Sequence, residues 1–361
     1  MKKLIALSLI LLAIGAMAFA DDAKVMPGMV GRLYVAPNFT FASRLFDDDG
    51  ERTDKFDDSV KVFNLGFALE FGVIDWITAA VQWVPGWTPW SDLEGASGLK
   101  DSNTNGVADI FVGAKIQIIG PKAPVANDTF RLAVAPGVII PLPGPDFEDE
   151  AKNALAGKKA TVHSMDNHVF GAGARFMFDW QITDSFFINL FNESIFYIGK
   201  RAWEKTGPEE AGTLAVLKDT LETYGVPHSL TKKLGGEVDY KYKLTFELEP
   251  VFTTSIADGV SFTAGLPVRY VFKPAEEYSF SGISSLPPAF QSTAESYLSA
   301  KGVVSHILYV NPNVSFFLTK TPLPLEFKLQ YNFPVWGKNA QVAHTIALQI
   351  KAYFALPGAD I

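Results

Sequence analysis

Tyr240-Lys241-Tyr242-Lys243-Leu244-Thr245-Phe246-Glu247-Leu248-Glu249 is the stretch on which the fold turns. Its even positions are aromatic or leucine, and every odd position is charged or hydroxylic. A period of two is that of an extended strand, whose successive side chains point to opposite faces. One face suits hydrocarbon and the other suits water, which is the pattern of a strand in the wall of a transmembrane barrel.

The same alternation recurs along the chain. In residues 61–72, Phe63, Leu65, Phe67, Leu69 and Phe71 oppose Asn64, Gly66, Ala68, Glu70 and Gly72. Near the C-terminus Ile346, Leu348, Ile350, Ala352 and Phe354 alternate with Thr345, Ala347, Gln349, Lys351 and Tyr353. Comparable segments lie near 30–42, 76–84, 107–118, 129–140, 168–180, 185–198, 259–272, 303–318 and 325–333. They predict an all-β, antiparallel up-and-down transmembrane β-barrel of about 12 strands, with 14 as the alternative count.

Links between these segments alternate in length, as expected of short periplasmic turns and longer extracellular loops. Short ones fall at 73–76, 120–128, 182–184, 257–259 and 320–324, and longer polar ones near 43–59, 85–105, 141–166, 199–235, 274–302 and 335–342. Two long loops carry helical spacing. Pro208 opens a segment with Leu214, Leu217, Leu221 and Tyr224 ahead of Gly225, and Phe290, Ala294, Tyr297 and Leu298 precede Gly302. Short helices are therefore expected outside the barrel.

Composition narrows the class. Phe (29), Tyr (11) and Trp (7) are abundant, yet beyond the N-terminus no uninterrupted apolar run is long enough for a spanning helix. Lys2 and Lys3, the run Leu4 to Leu12 and the small-x-small site Ala18-Phe19-Ala20 read as a secretory signal peptide over residues 1–20, leaving 21–361 as one barrel domain. Cysteine is absent, which excludes a disulfide scaffold, a thiolate metal centre and a lipidated cysteine. The formal charge of −8 speaks against nucleic acid as a partner. Outer-membrane lipid and the barrel-assembly machinery are the expected partners, and the bacterial outer membrane the expected location. Trp76, Trp180 and Tyr353 at one end, and Trp83, Tyr197 and Trp336 at the other, are candidate interfacial girdle residues.

If the polar faces turn inward, the channel lining holds Arg32, Glu70, Lys115, Arg131, Arg175, Lys241, Lys243, Glu247, Glu249, Arg269, Glu326 and Lys328, joined by Asp109, Asp179 and Lys351. Such charges either line an aqueous path or pair to fill the interior. Trp87 and Trp90, in the expected second loop, join the helical positions Leu214, Leu217, Leu221, Phe290, Tyr297 and Leu298 as candidates for receiving an apolar ligand at the mouth.

Gly106-Val107-Ala108-Asp109-Ile110-Phe111-Val112-Gly113-Ala114-Lys115 resembles the glycine and aspartate strand pattern of outer-membrane channels for hydrophobic compounds. Glu249-Pro250-Val251-Phe252 followed by Leu266-Pro267-Val268, and Asn311-Pro312-Asn313-Val314 followed by Phe333-Pro334-Val335, are similar to the proline-marked hairpins of channels linked to aromatic-compound degradation, relatives of the long-chain fatty-acid transporter family. The resemblance spans about the last three quarters of the chain. It implies passive uptake of small hydrophobic molecules such as fatty acids or aromatic compounds. That family has fourteen strands and an N-terminal plug, whereas only Asp21 to Met29 precedes the first strand here, so a full hatch does not carry over. A general porin for small polar solutes and a structural or adhesive surface barrel are the alternatives.

Asp101-Ser102-Asn103-Thr104-Asn105-Gly106 opens with the oxygen-ligand spacing of a calcium loop, but Val112 stands where the closing bidentate glutamate belongs, so no metal is assigned. His163, His168, His228, His306 and His344 sit in no nucleophile or ligand arrangement, and neither enzymatic activity nor a cofactor is expected.

Overall fold

The computed structural model describes residues 22–54, 59–92, 106–157 and 166–357. Twelve long strands run in sequence: β1 (Val30–Phe46), β2 (Val60–Ile74), β3 (Ile77–Asp92), β4 (Ile110–Gly120), β5 (Phe130–Ile140) and β6 (Phe170–Thr183). They continue as β7 (Phe186–Ile198), β8 (Tyr242–Ala257), β9 (Val260–Gly265 and Val268–Lys273), β10 (Ser305–Val310 and Asn313–Leu318), β11 (Leu325–Lys338) and β12 (Ala340–Ala355). Each pairs antiparallel with the next. β12 then pairs with β1 from Val30↔Ala355 to Phe46↔Ala340, so the sheet closes with no free edge.

Alternation in sequence becomes inside and outside in space. Along β2 every even residue from Val60 to Glu70 is buried, while the intervening Phe63, Leu65, Phe67 and Leu69 face out. Leu33, Phe176, Leu190, Phe246, Leu329 and Ile346, spread around the barrel, are each 46–50% exposed. A contiguous apolar exterior on a closed barrel is stable where lipid replaces water. No described helix is long and apolar enough to cross a membrane.

One end of the barrel carries tight connections, at Asp75-Trp76, Asp184-Ser185 and Asp258-Gly259, and the other carries the long loops. By that asymmetry the first end is periplasmic and the second extracellular. Two expected loops are corrected. β3 runs through the expected second loop to Asp92, because the Pro85-Gly86 pair makes a bulge instead of a turn. Gly86 holds φ +85°, and a Cβ there would meet the Leu65 carbonyl at 2.2 Å, so the strand passes on without ending. The expected last loop is a single residue, Asn339, in left-handed conformation at φ 47°.

Prolines interrupt β9 at Leu266-Pro267 and β10 at Asn311-Pro312, and the two gaps face one another between the Gly265↔Asn313 and Val268↔Val310 pairs. The gaps are bridged singly, by Leu266 N to Pro250 O at 3.2 Å and Asn311 N to Pro267 O at 2.8 Å.

Above the extracellular rim the loops fold into a cap. It holds helices α1 (Glu148–Leu155), α2 (Pro208–Thr223), α3 (His228–Thr231) and α4 (Pro288–Tyr297), and a small sheet of Arg201–Ala202, Gly235–Asp239 and Glu277–Ser281. Proline at the first turn of α2 and Gly225 at φ +87° after it mark the boundaries expected of that sequence. Leu214, Leu217, Leu221, Val226, Leu234 and Leu286 pack with Trp203 into one apolar cluster. At roughly 1.5–3 kcal/mol for each fully buried large side chain, this cluster stabilises the cap as a unit of its own.

Candidate transport lumen

Inward positions of the strands enclose a cavity of 1150 Å³. It reaches from Pro324 and Ala355 at the periplasmic end to Asp109, Asp166 and Tyr197 at the extracellular end. In the upper half Val84 of β3 joins the inward faces of β4 to β8, where Phe111, Ile139, Ile195 and Tyr197 stand beside Arg175 and Lys243. Among the described residues seven basic and seven acidic side chains border the cavity, so it carries no net sign.

Those charges form a connected diagonal. Lys243 Nζ lies 3.1 Å from Glu193 Oε1, and Arg175 Nε donates to Glu193 Oε2 at 2.8 Å. Arg175 Nη1 donates to Gln82 Oε1 at 2.8 Å, and Gln82 Nε2 to Glu70 Oε1 at 3.1 Å. Glu70 pairs with Arg32, whose Nη1 reaches the Tyr353 hydroxyl at 3.4 Å. Tyr353 donates to Glu326 Oε2 at 2.6 Å, and Lys351 Nζ to Glu326 Oε1 at 2.9 Å. Basic and acidic groups thus alternate from the start of β8, near the extracellular side, to the end of β12, near the periplasmic side. Low local dielectric strengthens each link, and each link offsets the cost of burying its neighbours.

Arg175 can span to β3 because little stands between. The guanidinium carbon lies 3.9 Å from the centroid of the Phe111 ring, which lies flat where Gly113 and Gly137 meet in register. A Cβ on Gly137 would come within 2.3 Å of that ring.

A short segment ahead of β1 enters the periplasmic half of the lumen. Ala23 N donates to both carboxylate oxygens of Asp179 at 3.2 Å, Gln117 Nε2 to Ala23 O at 2.7 Å, and Met26 N to Thr78 Oγ1 at 2.8 Å. Lys115 Nζ donates to Asp22 O at 2.9 Å and Lys24 O at 3.1 Å. Ala23 is fully buried against Ala133, Ala135, Met177 and Phe191. Burial alone would raise the Asp22 carboxyl, but the charges of Lys24, Lys115 and Arg32 bring it down to about 2. This strap is short beside a full hatch, yet it lies across the walls of β3 to β7.

Of the expected channel-lining residues, Arg32, Glu70, Lys115, Arg175, Lys243, Glu249, Glu326 and Lys328 border the cavity. Arg131 lies beside it, 3.8 Å from the buried Asp179. Glu247 and Arg269 pair with each other inside the wall, 0% and 3% exposed. Lys241 is displaced: it precedes β8 at the rim and pairs with Asp239 at 2.8 Å and Glu277 at 2.9 Å. Tyr197 and Tyr353, expected in the girdle, line the lumen.

The expected entry residues separate into two groups. Leu214, Leu217, Leu221 and Leu298 are at most 5% exposed in the cap core, with Phe290 packed against them and Tyr297 at the cap surface. Trp87 and Trp90 belong to β3, on the outer wall, where Trp90 stacks on Phe39 at 6.4 Å. The apolar helical faces therefore pack on one another in the cap core. Asp101 to Asn105, the opening of the calcium-like spacing, lie outside the described residues. Asp109 instead receives hydrogen bonds from Leu142 N and His168 N. Among the described residues no group of three acidic or histidine side chains could hold a metal ion.

No family model matches the chain, and no curated protein matches it. An outer membrane channel from Pseudomonas putida F1 has a similar structure, with a TM-score of 0.59 at 10% identity, over 93% of this chain and 100% of that one. A Pseudomonas aeruginosa FadL homologue (TM-score 0.34, 10% identity, 95% of this chain and 92% of that one) and the TodX monoaromatic hydrocarbon channel (0.35, 9%, 94% and 91%) superpose loosely. Only the first bears on architecture. The fold is that of an outer-membrane channel, and the closed barrel with its apolar exterior belongs in the bacterial outer membrane.

Proposed function

We propose that the barrel takes up small organic molecules passively, favouring those that join an apolar body to an ionised or polar head, as fatty acids and some aromatic compounds do. One observation carries this reading: in the upper lumen Phe111, Ile139, Ile195 and Tyr197 share a wall with Arg175 and Lys243. Such a wall solvates both halves of an amphipathic molecule, while a neutral hydrocarbon would meet charged groups at every level. Residues 1–20 act as the signal peptide, the barrel-assembly machinery inserts the mature chain, and no catalytic step is involved.

A general porin for small polar solutes is the second reading, favoured by the balance of basic and acidic groups around the cavity. Single-channel conductance of the refolded protein in planar bilayers separates the two. Saturable block of a small conductance by a hydrophobic acid supports selective uptake. A steady ohmic conductance indifferent to the acid supports the porin, and silence with no binding sinks both.

A further inference from the structure

At the extracellular end of β4, one carboxylate ties down both ends of the third long loop. Asp109 Oδ1 accepts from Leu142 N at 3.0 Å, and Oδ2 accepts from His168 N at 3.1 Å. His168 Nδ1 also lies 3.0 Å from Asp109 Oδ1, and both side chains are 4% exposed. Asp166 completes the arrangement by accepting from Asp109 N at 3.0 Å, while Arg201 Nη1 donates to the carbonyls of Asp166 at 3.1 Å and Asn167 at 2.8 Å.

Three features mark this as more than an ordinary loop anchor. His168 adopts a left-handed backbone at φ 50°, uncommon for a residue with a Cβ. Among the described residues its Nε2 is buried without a hydrogen-bond partner, and the ring's hydrogen bond is to Asp109. Gly144 lies flat on the cluster, where a Cβ would come within 2.8 Å of both Arg201 Nη2 and His168 Cδ2. From there the chain leads into α1, which packs on α2 in the cap with Ala154 Cβ against Gly212.

We propose that Asp109, Asp166 and His168 form a pH-operated latch, which holds the 142–157 segment and α1 down on the extracellular rim in acid and loosens it near neutrality. The charged and titratable groups facing Asp166 are Asp109 just ahead of β4, Tyr197 from β7, Lys243 from β8, Lys273 from β9, and His168 and Arg201 from the loops. Burial and the adjacent Asp109 charge push the Asp166 carboxyl up from 3.8 to about 6, against the opposing pull of His168 and Lys243. A raised acid is destabilised when ionised. The latch is therefore strongest below 3.8, weakens as pH rises, and carries the full penalty above about 6, an upper limit of about a hundredfold in the latch equilibrium.

The chain has no cysteine, so Leu155→Cys in the full-length protein gives a single site for a nitroxide at the exposed end of α1. In liposomes the label is expected to be immobilised at pH 4.5 and mobile at pH 7.5. Adding Asp166→Asn, which cannot ionise, should leave it immobilised at both, while Asp166→Glu should restore the response and shows that the site tolerates substitution. A label indifferent to pH in the parent, or an unchanged response in Asp166→Asn, overturns the latch. The readout does not depend on conductance, so silent bilayers would count against uptake and leave the latch standing.

Discussion

Arg175 on β6 and Gln82 on β3 are joined by a 2.8 Å hydrogen bond that passes over two intervening strands. The Gln82 amide is the one uncharged side chain between Arg175 and Glu70. It accepts from the cation with its oxygen and donates to the carboxylate with its nitrogen, so it links the upper and lower parts of the charged diagonal.

Replacing Arg175 with alanine leaves Glu193 with Lys243 alone and strips the roof from Phe111. The loss in stability should be about 3 kcal/mol, the lower end for breaking a buried pair, because this one borders a cavity. Urea titration of the refolded barrel measures it, and a loss below about 1 kcal/mol would show the pair to be effectively solvated.

Position on the wall should decide tolerance to charge. Phe246→Arg puts a cation into lipid and should cost about 2–4 kcal/mol of folding into vesicles, whereas Ser315→Lys, facing the cavity, should fold nearly as the parent does. Equal penalties at the two positions would contradict the assigned faces.

Asp179→Ala removes the acceptor for Ala23 N and for Asn189 Nδ2, both buried. An unsatisfied buried donor costs about 1–3 kcal/mol, so amide exchange at Ala23 should quicken by roughly one to two orders of magnitude while exchange in β12 stays unchanged. Uniform quickening would mean that the strap does not move independently of the barrel.

In the cap, Glu222 lies beyond the barrel and accepts from Thr231 and His228. These hydrogen bonds, Thr231 first, hold its carboxyl below the usual value of 4.5. A depressed acid stabilises when ionised, so this contribution is complete above 4.5 and fades as pH falls through the lowered value. Amide exchange at Val226 and Thr231 should therefore quicken in acid, and Glu222→Gln should abolish the dependence.

Barrel strands were legible wherever the two faces differ in polarity, as in Tyr242 to Glu249, and there the sequence predicts which side chains turn inward and which outward. Legibility failed where that difference vanishes. β7 carries Phe187, Phe191 and Ile195 on its inner face, so Glu193, the partner of both Arg175 and Lys243, did not stand out as a lumen residue. Pro85-Gly86 reads as a turn and became a bulge, which moved Trp87 and Trp90 from a loop to the outer wall. Asp22 to Met29 has no period to read, since its place is set by side chains of β3, β4 and β6 more than ninety residues away in most cases. Of the loop helices α2 and α4 were found and α1 and α3 were not, and spacing alone does not say what an apolar face meets: those of α2 and α4 meet each other.

The facing gaps at Pro267 and Pro312 have a mechanical consequence. A barrel wall is stiff against bending because its hydrogen bonds form an unbroken lattice around the circumference. Here Pro250, Pro267 and Pro312 remove donors from three adjacent strands at one height, leaving single bridges where neighbouring rows keep a regular ladder. Resistance to deformation falls along that line, so the cross-section yields more readily at β8 to β10, and its thermal breathing is concentrated on the stretch of wall that adjoins Arg175 and β6 through β7.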